Sequence, residues 1–213
     1  MRKQELTHDQ MDYLFWHPDH LEEGRKYPTV IYCHGAGSRG PDPTALVNNP
    51  FFKETEAFLS EALTFLPRCD KNCWFDVYEQ LNHFIDAVLC HPNVDPSRVY
   101  LIGVSMGGYA VWQLAMSRPE LYAAIVPICG GGMYWNAPRL KDVPVWAFHG
   151  DRDDVVFPEE SRKMVDAVNR AGGHAKLTIC QNVCHDSWFT AYRSKELFDW
   201  LFTQKNTRME VLK

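Results

Sequence analysis

The chain has 213 residues, 46% of them hydrophobic and 23% charged, with a formal net charge of −5. A chain of this length buries about 70% of its unfolded surface, so its core needs neither disulfide nor metal. Acidic and basic residues are mixed with no long basic run, which argues against a nucleic-acid partner, because phosphate neutralisation needs a concentrated Lys/Arg surface.

The N-terminal stretch MRKQELTHDQ lacks the apolar centre of an export signal, and no apolar run approaches the ~20 residues of a membrane helix. Seven cysteines, an odd number, lie partly inside apolar runs, where a reduced thiol acts as a small hydrophobe. A cytoplasmic protein without membrane contact is the expectation. The oligomeric state leaves no mark in the sequence.

In chain order, Met11–Trp16 reads as an antiparallel edge strand, and Thr29–Cys33 as a buried one. Leu63–Leu66 is a weaker strand, ended by Pro67. In residues 74–91 the positions Val77, Leu81, Phe84, Ile85, Val88 and Leu89 share one helical face. Val99–Val104, Ala124–Cys129, Val145–His149 and Lys176–Cys180 are further apolar strands. Residues 158–171 read as a helix, with Pro158 suited to its first turn and Gly172-Gly173 to its stop. Glu196–Phe202 reads as a C-terminal helix.

Nearly all-apolar strands alternating with helices imply a mostly parallel sheet covered on both faces, an α/β fold. No repeat, low-complexity segment or long linker divides the chain, so residues 1–213 are expected to form a single domain.

Within GVSMGG, Ser105 follows a strand and directly precedes a helical pattern. A tight turn there would lift its hydroxyl clear of the sheet's carboxyl edge, where such sheets bind ligands. Gly103 and Gly107 would relieve crowding across that turn. The bland alternative is a serine capping the helix that follows.

A serine nucleophile needs a base, and the base needs an orienting acid. Of nine histidines, His185 follows the strand ending at Cys180 by a short loop and so falls at the same edge, whereas His174 falls at the opposite one. His34 and His149 end strands before HG turns and are expected to brace loops. FHGDRDDVVFP offers Asp151, Asp153 and Asp154 as the acid, and spacing does not separate Asp153 from Asp154. Two backbone amides should receive an oxyanion, one from Met106 and one from the loop His34-Gly-Ala-Gly-Ser38. Neither Gly-rich phosphate motif is present, so no nucleotide cofactor is expected.

The stretches YPTVIYCHGAGSRG, DPSRVYLIGVSMGGYAVWQLA, VPVWAFHGDRDDVVFPEESRKMVDAV and CHDSW resemble the α/β-hydrolase fold serine esterases. The likeness is to the phospholipase/carboxylesterase-like and feruloyl- or acetylxylan-esterase-like branch, and it runs from about Lys26 onward. The resemblance implies Ser105 as nucleophile, Asp153 as acid with Asp154 as runner-up, His185 as base, and Ala36 with Met106 at the oxyanion hole. It implies a cofactor-free hydrolase of small ester molecules, with thioesterase, lysophospholipase or peptidase chemistry as alternatives. Cys184 stands where such proteins usually carry glycine, a departure that bears on the geometry of the loop.

Short connections imply no large lid and an open site. Cys69/Cys73 and Cys180/Cys184 are spaced C-x₃-C; zinc ligands favour C-x₂-C, and a metal-bound His185 could not act as a base, so no metal is expected. Among the aromatic residues near the catalytic edge (Trp74, Tyr109, Trp135, Trp188 and Phe189), Trp74 and Trp188 are the candidate walls of a substrate pocket.

Overall fold

A computed structural model describes residues 1–40, 42 and 44–210. Its strands are β1 (Arg2–His8), β2 (Met11–His17), β3 (Tyr27–Cys33), β4 (Leu63–Pro67), β5 (Val94–Val104), β6 (Ala124–Ile128), β7 (Val145–Gly150) and β8 (Ala175–Cys180). They form one eight-stranded sheet in the order β1-β2-β4-β3-β5-β6-β7-β8. The six strands from β4 across to β8 pair in parallel, while β1–β2 and β2–β4 are antiparallel.

The helices are α1 (Thr44–Val47), α2 (Pro50–Leu59), α3 (Tyr78–Leu89), α4 (Met106–Ser117), α5 (Glu159–Arg170), α6 (Trp188–Tyr192) and α7 (Lys195–Thr203). Side chains alternate across the strands with period two. Ile31, Leu101 and Ile125 pack with Phe84, Ile85, Val111 and Val168 of α3, α4 and α5 on one face. Val30, Ile102 and Val126 pack with Phe51, Leu59, Tyr192 and Leu201 of α2, α6 and α7 on the other. Burial on both faces is why these strands read as continuous apolar runs.

Two expectations are corrected. β2 is antiparallel but internal, lying between β1 and β4. The true edge, β1, is exposed along its whole length and carries no apolar period to betray it. The hairpin joining them turns at Asp9 and Gln10 with φ of 45° and 66°, a two-residue primed turn without the usual glycine. The helix expected over 74–91 splits into a 3-10 turn, Trp74–Val77, and α3.

The helix expected over 158–171 is α5, with Pro158 at its cap and Gly172 turning out of it at φ +85°. Ser194 caps α7 by accepting from the Leu197 amide at 3.1 Å.

Two packing details fix the loops at the carboxyl edge. A Cβ built on Gly107 would lie 1.9 Å from the Cys33 carbonyl oxygen, so only glycine lets α4 start this close to β3. His34, fully buried at the end of β3, accepts the Cys69 amide at Nε2 (3.0 Å) and therefore donates from Nδ1 to the Gly35 carbonyl (2.8 Å). Trp74 donates its indole N–H to the His34 carbonyl at 3.0 Å. Burial holds the His34 imidazole neutral, with its pKa lowered to about 4.

Two outcomes follow for stability. Gly107→Ala should cost about 3 kcal/mol or more in urea unfolding, whereas Gly37→Ala, which meets nothing within 4 Å, should stay within about 1 kcal/mol of wild type. Because His34 titrates lower in the folded chain than in the unfolded one, the unfolded state binds the extra proton. Stability is then fully present above about pH 6.5 and declines as pH falls toward about 4. Thermal unfolding across that window should show the fall, and it should be shallower for His34→Gln; an equally steep fall in the variant would assign the effect to other groups.

Candidate active site

β5 ends at Val104 and α4 begins at Met106, leaving Ser105 alone to turn the chain. Its backbone sits at φ 53°, ψ −115°, a conformation that costs a non-glycine residue about 1–3 kcal/mol. The turn is clamped by the Ser105 amide donating to Ile128 O (2.8 Å) and by Ser105 O accepting from the Tyr109 amide (3.1 Å). Ser105 occupies the cap position of α4, yet its hydroxyl makes no capping bond. It lies instead 2.8 Å from His185 Nε2.

His185 stands on the loop between β8 and α6, and its Nδ1 is 2.7 Å from Asp153 Oδ2. Asp153 is buried, with Oδ1 accepting the Val155 and Val156 amides at 3.0 and 2.9 Å. Those two bonds leave Oδ2 free to face the imidazole. His185 Nδ1 therefore carries the proton and Nε2 is the acceptor facing Ser105.

Asp154 is exposed and Asp151 braces the loop by accepting from the Val183 amide (3.3 Å), so Asp153 is the carboxylate brought to the histidine. Cys184 is exposed and does not take a left-handed conformation. Its backbone therefore does not call for glycine, and the left-handed residue of this loop is Asn182, at φ 60°.

The Gly35–Gly37 loop passes against the turn, with a Cβ on Gly35 falling 3.3 Å from Val104 O and 3.7 Å from the Ser105 Cβ. Ala36 opens a 3-10 turn and Met106 opens α4, so both amides stand at helix starts, where N–H groups have no intrahelical acceptor. A cavity of about 350 Å³ opens here, lined among others by Ala36, Val104, Ser105, His185 and Trp188. A larger, shallow depression of about 690 Å³ lies over residues 182–193 and does not reach Ser105, so the smaller cavity is the one placed for chemistry.

Trp188 sets its ring edge-on to His185, with centroids 5.7 Å apart, and walls that cavity. Trp74 does not. It is fully buried behind the His34 loop, 4.9 Å from the His34 ring, and acts as a brace. Tyr109 lines a separate apolar groove with Phe75, Tyr78 and Met133, and Trp135 is exposed to solvent.

His149 braces a loop as expected, but its place beside the acid, like the places of Cys129, Tyr32 and Tyr192, escaped the sequence reading. His149 is buried beside the acid, with Nε2 3.2 Å from Asp153 Oδ2 and 2.8 Å from Val156 O, and Nδ1 2.7 Å from Ser161 Oγ. Burial lowers its pKa. Its place directly before Gly150 and four residues ahead of Asp153 was the available signal.

Cys129, at φ 40° just after β6, brings its sulfur within 4.8 Å of ligand atoms of Asp153 and His185. Burial pushes this thiol up to about 12, and an ion held by the three would have to replace the Asp153–His185 hydrogen bond. Tyr32 and Tyr192 both line the cavity. Tyr192 follows Trp188 by four residues on one helical face, a spacing that pointed to it.

The dienelactone hydrolase family matches residues 50–199. The crystal structure of a thermostable esterase superposes with a TM-score of 0.86 at 30% identity, covering 96% of this chain and 63% of that one. A ferulic acid esterase structure superposes with a TM-score of 0.71 at 13% identity, over 94% of this chain and 96% of that one, which is a likeness of fold. A bifunctional acetylxylan esterase/xylanase of Neocallimastix patriciarum is 32% identical over 76 residues, 36% of this chain and 11% of its own length. The chain thus spans less than two thirds of the thermostable esterase and a small part of the curated relative. The mostly parallel sheet with helices on both faces is the α/β-hydrolase architecture of these esterases. With 150 consecutive residues matched, from the start of α2 into α7, the chain belongs to the dienelactone hydrolase family.

Proposed function

We propose that the protein is a serine hydrolase of small carboxylic esters that works through an acyl-enzyme on Ser105. The observation that carries this reading is the continuous hydrogen-bonded line Ser105–His185–Asp153, at 2.8 and 2.7 Å, anchored on a strained strand-to-helix turn. Membership of the dienelactone hydrolase family and the likeness to a thermostable esterase support ester bonds as the target.

His185 Nε2 takes the Ser105 proton as Oγ attacks the ester carbonyl carbon. Asp153 accepts from Nδ1–H, keeps the ring in the required tautomer and stabilises the imidazolium. The Ala36 and Met106 amides receive the oxyanion, each worth about 3 kcal/mol in the transition state. His185 then returns the proton to the leaving alcohol, and a water deprotonated by the same nitrogen releases the acid.

The substrate-side pocket of about 350 Å³ suits a small acyl or alcohol group more than a long lipid chain. The names of the relatives, an acetylxylan esterase and a ferulic acid esterase, make acylated sugars the substrate class to examine first.

On p-nitrophenyl acetate, Ser105→Ala should lower kcat by about 10⁴-fold or more and Asp153→Asn by about 10³–10⁴-fold. Asp154→Asn should stay within about three-fold of wild type, because the exposed side chain lies outside the line. A large loss at Asp154 with a near-normal Asp153→Asn would move the acid. A wild type that hydrolyses no aryl ester and ignores a serine-directed fluorophosphonate would end the esterase reading.

A further inference from the structure

The cavity beside Ser105 is lined in part by two phenols that the catalytic line does not use. Tyr32, at the end of β3, and Tyr192, at the end of α6, come from opposite ends of the chain, and their hydroxyls meet at 2.6 Å. Both residues line the same cavity as Ser105 and His185, and both are almost completely buried, at 1% and 2% exposure.

The rings are locked. Tyr32 stacks on Phe51 at a centroid distance of 4.0 Å, and Phe51 meets Tyr192 edge-on at 5.3 Å. Asn49, which lines the same cavity, caps α2 by accepting the Phe51 amide at 2.9 Å and donates to Ser38 Oγ at 3.1 Å.

A proton count makes this pair informative. Two phenol oxygens carry two protons, and the bond between them uses one. No further hydrogen bond takes up the second proton among the described residues. Burial raises both phenols far above their ordinary pKa, so they remain neutral donors. An unspent donor on a buried cavity wall is costly until a ligand oxygen meets it. A purely hydrocarbon pocket would be served as well by phenylalanine at both positions.

We propose that the Tyr32–Tyr192 hydroxyl pair is a hydrogen-bonding subsite that selects esters whose cavity-bound group carries an acceptor oxygen some atoms away from the scissile carbonyl. This rests on Ser105 being the nucleophile. Ether, hydroxyl and carbonyl oxygens all satisfy it. A hydrocarbon group of the same length leaves the donor unpaired and is handled less well, because a site built to bond an oxygen discriminates against the analogue lacking it.

The test uses isosteric pairs in which an ether oxygen replaces one methylene. On the acyl side these are p-nitrophenyl hexanoate and its analogues with oxygen at chain position 3, 4 or 5. On the alcohol side they are butyl and 2-methoxyethyl butanoate. Each kcat/KM is divided by that ester's hydroxide-catalysed rate, which removes intrinsic reactivity. In at least one position the wild type should favour the oxygen-bearing ester by about ten-fold. Tyr32→Phe and Tyr192→Phe should each lower that ratio, and the double variant should bring it within about two-fold of one, whatever the absolute rates do. Should the double variant not fold, the two single variants carry the test through the same ratio.

A wild type that hydrolyses both members of every pair equally would overturn the subsite while leaving the nucleophile intact, as would a double variant that keeps its preference. Hydrolysis of none of these esters would overturn the nucleophile and the subsite together.

Discussion

The backbone reversal at Ser105 is the constraint on which the rest of the site depends. A strand entering and a helix leaving must share one residue, and that residue is forced to φ 53°. The strain is sustained by what surrounds it: the bond from the Ser105 amide to Ile128, and the absence of a side chain at Gly107 where α4 meets the end of β3. In return the hydroxyl is freed from capping the helix and pointed at His185, while the Met106 amide is left at the helix start with nothing inside the helix to bond.

The other parts are held by polar contacts that are themselves buried. Val155 and Val156 amides grip one oxygen of Asp153 and thereby aim the other at His185. The buried His149 sets Nε2 between that same second oxygen, at 3.2 Å, and the Val156 carbonyl, at 2.8 Å. His34 does the equivalent for the facing loop, tied to Cys69 and Gly35 by its two ring nitrogens. In each case a histidine at the end of a parallel strand spends its hydrogen bonds on fixing a loop at the carboxyl edge.

Much of this was legible because strand ends and helix starts are written in the sequence. Ser105 and His185 follow apolar runs at the carboxyl edge, and topology alone brings them to one side. The choice between Asp153 and Asp154 was not legible from spacing, since it turns on which carboxylate the next two amides fold back to hold. Trp74 was expected in the pocket because an aromatic near a strand end can face either way; its indole N–H is spent on the His34 carbonyl and the ring faces the core. Tyr32 was read as strand core, which it is, but its hydroxyl meets that of Tyr192 and both residues line the cavity. β1 left no trace because an exposed strand has no burial to impose a pattern.

The covalent intermediate is the most direct point of contact between this geometry and chemistry. Rapid-quench mass spectrometry of the protein mixed with excess p-nitrophenyl acetate, followed by peptide mapping, should find one acetyl group on the peptide containing Ser105 and none in Ser105→Ala. An acetyl group carried elsewhere, for example on the exposed Cys184 beside His185, would contradict it. So would turnover of the ester with no acyl-enzyme at any quench time and no initial burst of nitrophenol.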